Sequence, residues 1–346
     1  MASVYYFLSD IFQAFKGTNT TVLTEKDVPG TDLTGKWIII TGGNNGIGFE
    51  AAKSFAGWGA NLILGCREPP DWEQHPTAAV KECKDIAQTH GHSSTIEFWP
   101  LDMADFESVE VFAQRWLSSG HALDILCNNA GIAAAPLSAK TKDGFHPVHQ
   151  VNFLSHVLLT LRLLPSLAEQ TPGRVVCSTS SYHFLGKYDP ELYTGPGMVG
   201  NPYQNNKLYY QIWLTELQSR LLKHADYMGI VIHGIHPGFV ASSIWTPIKE
   251  KGGRVLDFLL SYVAIDSQQG SFAITNAATS PEFGPDPKTQ AIGAPNGRGG
   301  GKFINRIWEI TPKREVHDPE LRLQVWGKVA ERLDLAEKGL LDVVGR

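Results

Sequence analysis

The sequence predicts an α/β fold built on a doubly wound parallel sheet. Short apolar runs recur along the first ~240 residues, and each fits a strand buried on both faces. Amphipathic stretches of helical length separate these runs, which is typical of right-handed βαβ units. A glycine-rich turn joins the first run to its helix at residues 42–48. Together these observations predict a Rossmann-type sheet in a single domain, with extended substrate loops and a C-terminal extension.

The predicted elements alternate regularly along the chain. The strands are predicted at residues 36–41, 61–66, 95–101, 123–128, 173–178 and 229–235. The helices are predicted to begin at Ile47 and to cover about 78–90, 106–117, 145–167, 203–224 and 319–333. No linker rich in Pro, Gly or Ser interrupts the alternation. We therefore predict an N-terminal extension at 1–34, one nucleotide-binding domain at 35–305 and a C-terminal helical extension at 306–346.

Composition excludes several classes of function. The formal net charge is −5 with no basic block, so we expect no nucleic-acid partner. The four cysteines are widely separated and form no CxxC pair, which favours reduced, buried thiols in an intracellular protein; they are Cys66, Cys83, Cys127 and Cys177. No ligand spacing links His183, His233 and His236, so we expect no metal site.

The N-terminal segment at residues 4–15 is apolar and aromatic at helical spacing. It has no basic region ahead of it and no small-residue cleavage site, so it is a poor signal peptide. No apolar run approaches the ~20 residues that span a bilayer. We expect a cytoplasmic protein in which this segment packs on the domain. Peripheral attachment to a membrane surface is the alternative.

Tyr203 and Lys207 stand four residues apart in a predicted helix, so both side chains lie on one face, one turn apart. An ammonium so near favours the tyrosinate and lowers the pKa of the phenol. Such a tyrosine can exchange a proton near neutral pH. Taken alone, the pair is more often a tyrosine packed on a lysine stem. Further motifs in the sequence are needed to distinguish a proton-exchanging tyrosine from one that only packs on the lysine.

Distinctive residues follow each predicted strand, at the edge of the sheet where ligands bind in this fold class. They are Thr41–Gly48, Arg67, Asp102, Asn128–Gly131, Ser178–Ser181 and His236–Gly238. In the first segment, Gly42, Gly46 and Gly48 permit a tight turn and a close approach to a pyrophosphate at the helix N-terminus. A purely structural turn is the alternative.

The end of the second strand indicates which dinucleotide is bound. An acidic residue there would hydrogen-bond the ribose of NAD, whereas an arginine accommodates the 2′-phosphate of NADP. The strand ends at Cys66 and Arg67, with no acid before them, although Glu68 follows. We predict NADP(H). The alternative is that Arg67 pairs with Glu68 or Asp71 at the surface.

Taken in order, these motifs resemble the short-chain dehydrogenase/reductase family, in its retinol-dehydrogenase-like branch. The resemblance covers roughly residues 35 to 245. It is carried by Thr41–Gly48, Asp102, Asn128–Gly131, Asn152, Ser178–Ser181, Tyr203 with Lys207, and His236–Gly238. Asn206 departs from the family pattern, because Ser or Ala usually stands there.

The resemblance implies a catalytic set. Tyr203 would be the general acid in reduction and the base in oxidation. Lys207 would lower its pKa and hold the nicotinamide ribose. Ser180, with Ser181 as the alternative, would hydrogen-bond the substrate oxygen, and Asn152 would position a water in the proton relay.

The resemblance also implies the residues that bind the cofactor. Those expected at the pyrophosphate are Gly42, Gly46, Ile47 and Gly48, with Asn45 in the same turn. Asn45 stands where many NADP-preferring members carry a basic residue, so the NADP(H) prediction depends on Arg67. Those expected at the adenosine are Asp102, Met103, Asn129, Ala130 and Gly131. Those expected at the nicotinamide, besides Tyr203 and Lys207, are Pro237, Gly238, Val240 and Ser242.

Two apolar, aromatic segments, at residues 182–198 and 239–262, are expected to flank the substrate pocket. Such a pocket suits a lipophilic or aromatic ketone or alcohol. We therefore predict an NADPH-dependent reductase of such ketones, or the reverse alcohol oxidation. A redox-neutral or regulatory dinucleotide-binding protein is the alternative. The resemblance also suggests a homo-oligomer formed through the helices around 128–167 and 203–224.

Overall fold

The computed structural model of the chain describes residues 2–17, 20–71, 73–169, 172–240, 264–285 and 299–341. Its centre is an eight-stranded sheet in the order β3-β2-β1-β4-β5-β6-β7-β8. The strands are β1 Trp37–Thr41, β2 Asn61–Cys66, β3 Ile96–Pro100, β4 Ile125–Asn128, β5 Arg174–Ser178, β6 Val231–His236, β7 Phe303–Asn305 and β8 Trp308–Ile310. Only the last pair, β7 with β8, is antiparallel. The predicted doubly wound sheet is confirmed.

The helices are α1 Ala2–Lys16, α2 Gly46–Gly57, α3 Pro76–Thr89, α4 Phe106–Ser118, α5 Pro147–His149, α6 Ser155–Ala168, α7 Pro202–Leu221, α8 Ser267–Thr279 and α9 Pro319–Arg332. A π-helical turn, Gln150–Leu154, joins α5 to α6. The sequence predicted one long helix in this region, and it did not predict α8 or β8. Because β8 pairs with β7, the sheet continues beyond the predicted domain boundary at 305.

The central strands are buried because their side chains are apolar on both faces. In β1, Ile39 lies beside Ile63 of β2 and Leu126 of β4, with the three strands parallel. On one side of the β1–β4 pair the sheet continues through β2 to β3, and on the other side it continues through β5 to β8. The helices after these two strands therefore leave toward opposite faces, which opens a crevice at the carboxyl ends of the strands.

Helices cover both faces of the sheet and form two apolar layers. Helices α4, α6 and α7 supply one layer with residues such as Trp116, Leu158 and Trp213. The other contains Phe55 of α2 and Ile274 of α8. Contrary to the expectation that no apolar run approaches a membrane-spanning length, the stretch 147–168 is long and apolar enough to cross a membrane, with a mean hydropathy of 1.4 over an 18-residue window. However, 83% of that window is buried inside the protein. Such burial is what a core helix of the domain requires.

The C-terminal helix α9 lies on the outer side of α7. The rings of Trp213 and Trp326 stack with centroids 6.0 Å apart and planes 4° apart. The guanidinium of Arg220 lies 4.1 Å from the Trp326 ring. Helix α9 thus covers part of α7, most of which is buried within the protein. The predicted homo-oligomer stays a prediction, and a contact through this face would have to involve α9.

The N-terminal helix α1 packs on the domain mainly through its last turn. Ala14 is buried there, whereas Phe7, Leu8, Phe12 and Phe15 are exposed by more than half. The expectation that residues 4–15 pack on the domain therefore describes only the C-terminal part of the segment.

Candidate active site

A cavity of about 1020 Å³ opens at the carboxyl ends of the parallel strands. The wall of this cavity includes most of the residues predicted from the sequence, from Gly42 at the first turn to Val240 after β6. Gly48 and Asn152 are not part of the wall. Ser242 falls in residues 241–263, outside the described part of the chain. Most of the predicted site residues therefore converge on one space of a size suited to a dinucleotide and a substrate.

The glycine turn has the conformation and the clearance that a pyrophosphate needs. Gly42 has a φ of +66°, and a β-carbon there would lie 3.2 Å from the Cα of Ala130. Asn45 caps α2 by accepting from the Gly46 amide at 2.8 Å. The remaining amides of this helix N-terminus favour an anion at the cavity. A β-carbon at Gly48 would lie 2.3 Å from Asn129 Nδ2, so Gly48 permits close packing behind the turn.

Thr41 fixes the adjoining loop, a role that the sequence did not predict. Its Oγ1 accepts from the amides of Asn129 and Ala130, at 2.9 and 3.0 Å. Asn129 Nδ2 in turn donates to the carbonyl of Thr41 at 3.0 Å. The loops after β1 and β4 are thereby held in register where the adenosine ribose is expected.

Arg67 lies at the adenosine end of the cavity, directly after β2. Its Nη2 is 3.1 Å from Glu73 Oε1, and its side chain is 51% exposed. The alternative predicted from the sequence was a pair with Glu68 or Asp71, but the observed partner is Glu73. Glu73 also lines the cavity. No local pattern indicated this residue, because the contact depends on how the chain turns back between β2 and α3.

Tyr203 and Lys207 lie on one face of α7, as their spacing predicts. Pro202 opens the helix, and the Asn201 side chain caps it by accepting from the Tyr203 amide at 2.9 Å. Lys207 Nζ lies 5.3 Å from the centroid of the Tyr203 ring. It also donates to the carbonyl of Ser178 at 2.5 Å. Both side chains reach the cavity.

Burial controls the protonation of this pair. It raises the pKa of Tyr203 to about 12, and the hydrogen bond with Ser180 only partly opposes this rise. Burial also lowers the pKa of Lys207 to about 8. From the sequence, Lys207 is expected to lower the pKa of Tyr203. The structure differs because loss of hydration outweighs other influences on the phenol, while the ammonium is hydrogen-bonded to Ser178.

The structure distinguishes the two candidate serines. The side chain of Ser180 forms a hydrogen bond with Tyr203, and its Oγ accepts from the amide of Tyr182 at 3.2 Å. The Ser181 hydroxyl instead donates to the Ala14 carbonyl at 3.2 Å and lies 3.2 Å from His236 Nε2. Ser180 is therefore the hydroxyl placed beside the phenol.

His236 connects the site to the N-terminal helix. Its Nε2 donates to the Gly17 carbonyl at 2.9 Å. His183 and His233 are also buried and hydrogen-bonded to backbone carbonyls. Among the residues that the structure describes, no group of three or more His, Cys, Asp or Glu side chains is arranged to hold a metal ion.

Asn152 lies in the π-helical turn, behind the cavity wall. Its Oδ1 accepts from the Ile132 amide, and its Nδ2 donates to the Ile132 carbonyl, both at 2.8 Å. These bonds secure the loop after β4. π-Helical turns often mark functional sites, but the sequence gave no indication of one here. The role of Asn152 in positioning a water stays a prediction.

Comparison with known proteins agrees with this geometry. The sequence model of the short chain dehydrogenase family matches residues 36–252, which is more than half of the chain. The chain belongs to the short-chain dehydrogenase/reductase family. This is a family of oxidoreductases that use a nicotinamide dinucleotide and a small-molecule substrate. The glycine turn and the amides of α2 fit the pyrophosphate of such a cofactor.

Named relatives place this short-chain dehydrogenase/reductase in the retinol-dehydrogenase-like branch. Retinol dehydrogenase 11 of Homo sapiens is 36% identical over 214 residues, covering 61% of this chain and 63% of that protein. The chain thus spans slightly less than two thirds of that relative. WW domain-containing oxidoreductase of Danio rerio is 30% identical over 319 residues, covering 88% of this chain and 69% of that protein.

Solved structures share the fold. A protein from Mycobacterium paratuberculosis has a TM-score of 0.64 at 24% identity, covering 91% of this chain and 98% of its own. L-sorbose reductase from Gluconobacter frateurii, complexed with NADPH and L-sorbose, has a TM-score of 0.53 at 20% identity. That match covers 72% of this chain and 91% of the reductase. At these identities the likeness shows the fold alone.

Proposed function

We propose that this protein is an NADPH-dependent reductase of lipophilic or aromatic ketones, with alcohol oxidation as the reverse reaction. The observation that carries the proposal is the convergence of three groups on one cavity. They are the phenol of Tyr203, the hydroxyl of Ser180 and the ammonium of Lys207. Two of them can donate hydrogen bonds to a carbonyl oxygen, and the third supplies a positive charge nearby.

The protein's own groups account for the proton. A nicotinamide dinucleotide held at the glycine turn and by Lys207 would supply the hydride that the carbonyl carbon accepts. As the new C–H bond forms, the carbonyl π electrons move to oxygen, and the Tyr203 phenol transfers its proton there. Because the pKa of Tyr203 is raised to about 12, the phenol holds its proton at neutral pH until an alkoxide, a stronger base, develops. Lys207 stabilises the tyrosinate that remains, and solvent then reprotonates it.

Ser180 assists by stabilising charge. Its hydroxyl lies beside the phenol, so both groups can approach the same substrate oxygen. A hydroxyl in that place acts as an oxyanion donor during hydride transfer. Lys207 is assigned to the nicotinamide ribose as well, because its ammonium borders the cavity next to Ser178.

NADPH is proposed as the cofactor because Arg67 presents a cation at the end of β2. An arginine in this place accommodates a 2′-phosphate. Glu73 holds the Arg67 cation in an ion pair, and the Glu73 carboxylate would repel the 2′-phosphate. The proposal requires the dianionic phosphate to displace Glu73, which is feasible because the Arg67–Glu73 pair is partly exposed and therefore weak.

A lipophilic substrate is supported by the wall around Tyr203. Apolar side chains of Pro147, Val151 and Phe239 line the same cavity as Tyr203. The Tyr182 ring lies 6.4 Å from the Tyr203 ring, edge to face. Relatives that bear the name retinol dehydrogenase are named for a lipophilic alcohol. Most of the second predicted apolar segment, residues 241–262, lies outside the described residues.

Peripheral contact with a membrane surface is proposed for α1. Its exposed aromatic side chains form an apolar surface beside basic residues. The Arg314 guanidinium lies 4.5 Å from the Tyr6 ring, and Lys187 Nζ lies 5.9 Å from the Phe7 ring. Aromatic and basic side chains together favour an anionic lipid interface.

A substrate panel tests the function as a whole. The purified protein is incubated with NADPH and lipophilic or aromatic ketones, and with NADP⁺ and the matching alcohols. Absorbance of the reduced nicotinamide reports hydride transfer in either direction. We expect turnover with apolar ketones and little with short polar ones. Dinucleotide binding without turnover across the whole panel would instead support the redox-neutral or regulatory alternative.

A further inference from the structure

The C-terminal helix α9 ends in an arginine that reaches into the domain. Arg332 Nη1 lies 2.5 Å from Nε2 of His149. The same nitrogen donates to the Leu192 carbonyl at 3.2 Å, and Nη2 donates to the Glu191 carbonyl. The guanidinium is therefore held in a fixed orientation against His149.

His149 passes the interaction on to the catalytic helix. An arginine only donates, so Nε2 of His149 must accept and its Nδ1 must carry the proton. That N–H donates to Asn206 Oδ1, and Asn206 Nδ2 donates to the Pro202 carbonyl at 2.7 Å. Burial and the nearby Arg332 lower the pKa of His149 to about 3, which keeps the ring neutral. In each hydrogen bond of this series, the donor is therefore on the side of Arg332 and the acceptor is on the side of Pro202.

The chain of bonds ends beside two of the proposed catalytic residues. His149 directly precedes the π-helical turn Gln150–Leu154, which contains Asn152. Asn206 directly precedes Lys207 on α7. The His149 ring also packs 5.7 Å from Phe153, edge to face, within the same turn. One arginine thus holds together the two elements that carry Asn152 and Lys207.

We propose that Arg332, acting through His149 and Asn206, is a positioning residue for the proposed active site. The inference rests on the proposed function, because it assumes that Asn152 and Lys207 serve the reaction. It gives the C-terminal extension a role in catalysis, and it explains the amide at Asn206. Serine is too short to reach His149 as Asn206 does, and alanine could not accept the bond.

A second arginine on the same helix provides a matched control. Arg322 also lies on α9 and faces α7, where its Nε is 3.8 Å from Glu216 Oε2. Glu216 lies well beyond Lys207 along α7, so this contact attaches α9 without touching His149. A role limited to fastening α9 would make the two arginines equivalent. A positioning role makes only Arg332 matter for catalysis.

The test compares Arg332→Met with Arg322→Met in the full-length protein. With the best ketone from the panel, we expect Arg332→Met to lower kcat by up to about 100-fold while KM changes little, since a small displacement of catalytic groups suffices for such a loss. Arg332→Lys keeps one charged donor and should recover part of kcat. Arg322→Met should keep kcat. Equal kcat values in wild type and Arg332→Met would overturn the proposal.

Two further measurements keep the outcome decisive. Hydrogen–deuterium exchange at residues 147–156 and 202–208 should be faster in Arg332→Met than in wild type, and unchanged in Arg322→Met. The exchange measurement needs no substrate. It therefore separates failure of this proposal from failure of the proposed function. If Arg332→Met does not fold, Asn206→Ala removes the hydrogen bond between His149 and Asn206 and leaves Arg332 in place. Wild-type exchange and kcat in a folded Asn206→Ala variant would refute the positioning role.

Discussion

Arg67 and Glu73 form an ion pair 3.1 Å long at the adenosine end of the cavity. Glu73→Gln should therefore strengthen NADPH binding relative to NADH binding, because it removes a carboxylate that competes with the 2′-phosphate for the arginine. The expected gain is about two- to fivefold, since a partly exposed ion pair is worth under ~1 kcal/mol. Fluorescence titration with both cofactors measures it. Arg67→Ala should act oppositely and weaken NADPH alone. Unchanged cofactor preference in both variants would show that this pair belongs to the surface.

Tyr203→Phe should remove the proton donor and leave the cavity intact. We expect turnover to fall by about 10²–10⁴, the usual contribution of a general acid. The dissociation constant for NADPH should stay close to that of wild type, because the phenol oxygen is directed toward the substrate oxygen in the proposed reaction. Steady-state kinetics and a cofactor titration on the same preparation separate the two effects. Turnover retained in this variant would eliminate the assigned role.

Ser180→Ala should lower kcat by about 10²–10³, because an oxyanion donor is lost. Ser181→Ala provides the comparison, since its hydroxyl is bonded to the N-terminal helix and to His236. We expect that second variant to lose thermal stability more than turnover. Kinetics and thermal denaturation of both variants check the assignment. The opposite ranking in kcat would make Ser181 the donor.

The pH dependence of cofactor capture should report Lys207. Its pKa is lowered to about 8 by burial, so the ammonium loses its charge at a lower pH than an exposed lysine does. We expect kcat/KM for NADPH to fall as pH rises above about 8, because this ratio reports groups of the free enzyme. Lys207→Arg keeps the charge and should remove that alkaline limb, whatever its absolute rate. A flat wild-type profile to pH 10 (roughly the pKa of an exposed lysine) would contradict the assignment.

The exposed surface of α1 should bind anionic vesicles. Replacing Phe7, Leu8 and Phe12 by Gln removes three apolar side chains from residues that are 55–65% exposed. This change should abolish co-sedimentation with liposomes that contain phosphatidylserine. Turnover in solution should stay unchanged. A control variant with Gln at Val111 and Leu323 removes comparably exposed apolar groups elsewhere. Equal sedimentation of all three proteins would argue against a membrane role for α1.

Local patterns in the sequence predicted the fold and the centre of the site. The glycine turn at Gly42 and the pair Tyr203–Lys207 depend on conformations set within a few residues. Such features can be recognised from spacing, because a turn or one helical repeat fixes the geometry. The parallel sheet was predicted from apolar runs that alternate with helical stretches, since its strands are buried on both faces.

The remaining features depend on the course of a loop or on contacts between distant parts of the chain. Glu73 reaches Arg67 only because of the path of the β2–α3 connection, and Arg332 meets His149 across 183 positions. The raised pKa of Tyr203 likewise comes from burial, which the pair Tyr203–Lys207 alone does not reveal. Spacing indicates which groups are near in one element, but not how deeply neighbouring elements bury them.

The hydrogen bonds between the end of α1 and the site constrain how the protein can be shortened. The carbonyls of Ala14 and Gly17 are the acceptors for the buried groups of Ser181 and His236. Removing the first 17 residues would leave two buried polar groups without these acceptors, at about 1–3 kcal/mol for each. A recombinant protein trimmed to the family core would therefore carry a loosened Ser180–Ser181 segment. Expression from the first residue, with any affinity tag at the C-terminus, preserves the arrangement around the proposed oxyanion donor.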